Sequence, residues 1–189
     1  MKFLFGILLG LSFSNIANSQ ISIKQSVFAR QWSKDITLDM AKIFIVQNLV
    51  SVGIVEERLV CEGISAANSG ELTAVCFSGD SAKTVGLVLA FYGNYWNDEG
   101  VTHKGYAFKS FDGQKASEFL SKIISVYDKN VTFLEKNYDI NNMVFSYDDI
   151  SLIMYANSIT KIRLLWQGFD SEWNIEEVKK IYKRFETFK

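Results

Sequence analysis

Between Val55 and Phe111 short apolar runs alternate with clusters of Gly, Ser, Asn and Asp, and the same rhythm returns between Met143 and Trp166. This punctuation constrains the fold more than any other feature, because strand-length runs joined by short polar turns pair as antiparallel neighbours. Residues 55–65, 71–78, 84–92 and 105–111 read as a four-stranded meander. Residues 143–147, 150–156 and 160–166 read as three more strands, turned at Asp148-Asp149 and Asn157-Ser158. Val85 to Phe91 is apolar on both faces, as in a central strand covered on each side.

Helical spacing marks three other segments. Residues 35–51 carry apolar positions over more than one stripe, with Asp35 as N-cap and Gly53 as stop, although the run from Ile43 to Val46 could instead be a strand. Residues 114–130 place Phe119, Leu120, Ile123, Ile124 and Tyr127 on one side. Residues 172–188 place Ile175, Val178, Tyr182 and Phe185 at helical spacing, with acids in the first turns and bases later, as the helix dipole favours. Residues 21–30 fit neither period. The order predicts an α+β fold: two layers, a mainly antiparallel sheet of about seven strands with helices on one face.

A weak echo adds a second version of that architecture. The stretch from Phe111 lines up with the stretch from Phe169, 58 positions later, sharing Phe, Asp, Glu, Lys and Ile. Two β-meander-plus-helix units side by side would produce it, and so would convergence on one strand-to-helix corner, with Asp112 and Asp170 as caps.

The chain opens with Lys2, an apolar run from Phe3 to Phe13 and a polar stretch ending in Ala17 and Ser19, the layout of a secretory signal. Cleavage after Ser19 is expected, so that residues 1–19 are signal and 20–189 form one α+β domain, secreted or periplasmic and without stable membrane insertion. Such a compartment is oxidising, which makes Cys61 and Cys76 a disulfide pair. A two-residue turn centred on Asn68 and Ser69 would set them directly opposite each other across two strands.

With 20 basic and 21 acidic side chains and a single His, the chain has no basic footprint for nucleic acid. No Walker or dinucleotide loop, nucleophile elbow or His-Glu-x-x-His helix is present, so no cofactor or resident metal is expected. Asp98, Glu99 and His103 form only a weak metal-ligand set. Asn130-Val131-Thr132 matches a glycosylation acceptor, a pattern common by chance.

The unusual stretch is 91–106, which mixes rings, amides, carboxylates and Gly as recognition loops do. Tyr92, Asn94, Tyr95, Trp96, Asn97, Asp98, His103 and Tyr106 are therefore the candidate binding residues, although Tyr95 and Trp96 could instead plug the end of the core. The expected function is a non-catalytic binding module with a protein partner, an inhibitor or immunity-type role among the options. The alternatives are a carbohydrate or small-ligand binder using the aromatic loop and, less favoured, a hydrolase with dispersed carboxylates.

Overall fold

The structure is a computed structural model that describes residues 36–50, 56, 58–66, 71–79, 84–96, 99–138 and 140–189. The expected signal (1–19), the untyped 21–30 segment, the Asp35 and Gly53 helix ends and the Asn68-Ser69 turn lie outside the described residues. Helix α1 spans residues 36–48. Strands β1 (Leu59–Ala66), β2 (Leu72–Gly79), β3 (Thr84–Trp96) and β4 (Thr102–Asp112) follow, then helix α2 (Gly113–Lys136). Strands β5 (Asn142–Tyr147), β6 (Ile150–Asn157), β7 (Ile159–Trp166) and β8 (Phe169–Asn174) lead into helix α3 (Ile175–Phe188).

The fold is α+β; the described residues form eight strands in two antiparallel four-stranded meanders, β1-β2-β3-β4 and β5-β6-β7-β8, each followed by a helix. Strand alternation assigns the faces of the first sheet. Leu87, Leu89 and Phe91 enter a core shared with α2, α3 and the second sheet, while Val88 and Ala90 meet Ala41 and Ile45 of α1 on the other face. Thus β3 is covered on both sides, as its doubly apolar sequence requires. The second sheet buries one face only: Leu152, Met154, Ile162, Leu164 and Trp173 point inward, and their neighbours in sequence point out. Full burial of each such large side chain is worth about 1.5–3 kcal/mol.

Local chemistry sets the helix starts. Asp112 caps α2, accepting from the Lys115 N–H at 2.8 Å. Ala116, Phe119, Leu120 and Ile123 then recur on the buried face, and Leu134 continues that stripe past the expected end at 130. Asn130, within the glycosylation-type triplet, donates its amide to the Val126 carbonyl inside the helix. Helix α3 begins at Ile175 behind a capping box in which Asn174 accepts from the Glu177 N–H and Glu177 accepts from the Asn174 N–H.

That start corrects two expectations. The stretch 169–174, read as a strand-to-helix corner and the first helical turn, is strand β8, whose inward residues are Phe169, Ser171 and Trp173. Ser171, 3% exposed, hides the apolar alternation. Asp170 is consequently no cap; it forms a two-pronged pair with the Arg163 guanidinium. The 58-residue echo aligns a strand end with a strand start, although the two helices it compares start 62 positions apart, at Gly113 and Ile175.

The expected disulfide is also corrected: Cys61 and Cys76 are free thiols. Cys61 pairs with Phe77 and Cys76 with Glu62, one position away from the expected register. The register shifts between Gly63 and Ser65. A one-residue slip sends a side chain to the other face. Cys76 therefore lies in the main core, whereas Cys61 packs toward α1.

Candidate functional site

The stretch expected to be a recognition loop is mostly strand. Residues 91–96 belong to β3 and 102–106 to β4, paired Tyr92 to Tyr106, Asn94 to Lys104, Tyr95 to His103 and Trp96 to Thr102. Period-two alternation then divides the candidate residues between two faces.

On the face that α1 partly covers, Tyr92 and Tyr106 stack with centroids 4.5 Å apart, and the Lys104 ammonium lies 5.0 Å over the Tyr92 ring. The ladder continues through Phe108 to Phe44 of α1, whose rings are 5.0 Å apart. Burial, then the neighbouring Tyr92, pushes the Tyr106 phenol up, against the opposing pull of Lys104 and a hydrogen bond with Thr37. The phenol remains protonated and acts as a rigid wall. Beyond this ladder Trp96 projects from the hairpin, 64% exposed, with Asn94, Thr102 and Lys104 around it.

On the opposite face Tyr95 does plug the core. Its ring stacks on Phe169 at 5.1 Å, continuing the cluster of Phe91, Trp166 and Phe169, and exposed His103 lies 5.8 Å from it. Tyr95 and His103 are thus separated by the sheet from Tyr92, Asn94, Trp96 and Tyr106. Asn97 and Asp98 lie outside the described residues. Among the described residues no three His, Cys, Asp or Glu side chains are placed to hold a metal ion.

The hairpin is anchored from the second sheet. The Trp96 N–H donates to the Gly168 carbonyl at 3.4 Å, and the Gln167-Gly168 turn between β7 and β8 has positive φ at both residues, 47° and 80°. A second clamp lies farther along β4. The Lys109 ammonium meets Asp148 at 2.6 Å and Asp149 at 2.5 Å, and Asp149 also accepts from the Trp166 indole at 2.9 Å. The Asp149 carboxyl is held below the usual range, first by the Lys109 hydrogen bond and then by Trp166. These contacts fix the two meanders against each other, so the Trp96 face is presented on a rigid support.

Sequence reasoning passed over Thr102, Lys104 and Phe108. Their signal was the alternation Thr102, Lys104, Tyr106, Phe108, which is visible once 102–108 is read as strand. Carboxylates on the open face of the second sheet are engaged: Asp170 with Arg163, and Glu172 with the Tyr155 hydroxyl and with Lys161 at 2.9 Å. Burial raises the Glu172 pKa, but these donors outweigh it and hold the carboxyl low. No helix among the described residues is long and apolar enough to cross a membrane. Comparison with known protein families, with curated proteins and with solved structures finds no match to this chain.

Proposed function

We propose that this chain is exported after loss of residues 1–19 and acts as a non-catalytic binding module, docking a protein partner on the outer face of the β3–β4 hairpin. One observation carries the reading: Trp96 stands 64% exposed on a rigid strand end, beside the stacked Tyr92 and Tyr106 pair and the polar Asn94, Thr102 and Lys104. A tryptophan anchor ringed by polar groups is the anatomy of an interface hot spot, where desolvation of one large ring dominates the binding energy.

Protein docking is favoured over sugar stacking because Tyr92 has little free ring surface. Tyr106 stacks on it and Lys104 lies over it, leaving Trp96 alone as an open platform. The test compares wild type, Trp96→Ala and Tyr95→Ala in quantitative capture from the secreted and periplasmic fraction of the source, alongside titration with oligosaccharides. Trp96→Ala is expected to weaken partner capture at least 30-fold, the loss of about 2 kcal/mol typical of a hot spot, with an unchanged melting temperature. Tyr95→Ala is expected to lower stability instead. Undiminished capture by Trp96→Ala would remove the proposed surface, and oligosaccharide binding that needs Trp96 would favour the carbohydrate reading.

A further inference from the structure

At the end of β7 remote from the Trp96 contact, the β6–β7 turn, the last turns of α2 and the first turn of α3 enclose a cleft of about 200 Å³. Tyr127, Tyr138, Glu135 and Glu176 line it, with Thr160 and Ile175 nearly buried beneath them. The two carboxylates disfavour an anion; no Lys or Arg is among the residues lining the cleft, and Lys179, just beyond it, counters Glu176 alone. Glu135 has no ion-pair partner among the described residues. The C-terminus of α2, the negative pole of that helix, ends at Lys136 between Glu135 and Tyr138. The positive pole of α3 faces the cleft too, but Glu176 and Glu177 occupy its first turn.

The protein's own chemistry shows what such a wall accepts. Lys179, one helical step beyond the cleft, sets its ammonium 4.9 Å from the Tyr127 ring centre and 3.0 Å from Glu176. An aromatic face paired with a carboxylate is a seat for an ammonium group. We propose that this cleft binds a small organic ammonium ion, its head against the Tyr127 and Tyr138 rings and countered by Glu135 and Glu176, its short carbon body over Thr160 and Ile175. A bare metal ion would make no use of the rings. The site is separate from the hairpin face and does not depend on the function proposed for it.

Choline is the probe, with 3,3-dimethyl-1-butanol as a neutral molecule of the same shape, each titrated into the purified chain while NMR shifts of residues 127, 138 and 158–160 are followed. Choline is expected to shift these residues saturably and the alcohol is not. Tyr138→Leu should weaken choline two- to fivefold, the scale of one exposed cation–π contact, and Glu135→Gln combined with Glu176→Gln at least tenfold. Lys179→Met removes the internal competitor for Tyr127 and should strengthen choline binding two- to fivefold. Phosphatidylcholine vesicles form a further arm: binding of vesicles in preference to free choline would assign the same ammonium chemistry to a lipid headgroup. Equal response to the alcohol, no response to choline at these residues, or weaker binding by Lys179→Met overturns the proposal.

Discussion

Substituting Gly168 by Ala tests how the two meanders are joined, because the cost divides into parts that a second glycine can separate. Gly168 has φ 80°, and a Cβ built there meets the Trp96 carbonyl oxygen at 2.4 Å. Gly100 has nearly the same φ, 75°, and its Cβ would meet nothing within 4 Å. Both alanines bear the left-handed backbone cost of about 1–2 kcal/mol, and both reduce the freedom of the unfolded chain equally. Only Gly168→Ala must also push the β7–β8 turn away from β3, by about 1 Å, to restore an ordinary carbon–oxygen contact. That movement breaks the Trp96 N–H bond to the Gly168 carbonyl, worth about 0.5–1.5 kcal/mol, and loosens the Tyr95–Phe169 stack, worth a similar amount. Gly168→Ala should therefore exceed Gly100→Ala by about 1–3 kcal/mol in urea unfolding, at an unchanged slope with denaturant. A difference below about 0.5 kcal/mol would show that this contact does not join the meanders, and the argument for a rigidly held Trp96 would go with it.

Two further outcomes check the clamp and the thiols. The folded pKa of Asp149 lies below the unfolded value near 3.9, so its contribution is complete above that pH and disappears as pH falls through the folded value. Burial alone would lower the Lys109 pKa, yet hydrogen bonds from Lys109 to Asp148 and Asp149 raise it, so its contribution is complete below about pH 10.4 and is lost as pH rises through the folded value. Urea midpoints should thus stay flat near neutrality and fall at both extremes, and Lys109→Met should flatten the acid limb; an unchanged acid limb would contradict the clamp. Burial first, then the Glu62 charge, pushes the Cys76 thiol up to about 12, and burial raises Cys61 as well. Both should react with a thiol reagent in denaturant without prior reduction, and a reductant should leave the melting temperature unchanged; a fall of about 6–12 °C, the scale of a disulfide worth about 3 kcal/mol, would restore the bridge.

Local patterning accounts for much of the architecture. Punctuated apolar runs located seven strands, the doubly apolar Val85–Phe91 run identified the central strand, and the Asp112 cap located the start of α2. The signal failed where local and tertiary preferences diverged. Ser171 sits at an inward strand position and Glu172 at an outward one, so β8 reads as polar and helical until Trp173 is seen in the core. At the candidate site the residue types were legible but their grouping was not, because 91–106 was read as a loop and loops have no faces.

By itself the sequence determined what depends on near neighbours: the strand and helix periods, the turn residues, the capping groups and the concentration of rings in one hairpin. The tertiary structure decided what depends on register and on distant partners. A single-residue register difference between β1 and β2 placed Cys61 and Cys76 on opposite faces, and pairing across β3 and β4 left Trp96 exposed while Tyr95 closed on Phe169. Side chains alternate with period two, so one step along a strand exchanges core for solvent. Which step is taken depends on bulges and on contacts with residues tens of positions away, such as Gly168 against Trp96, and no local pattern encodes them.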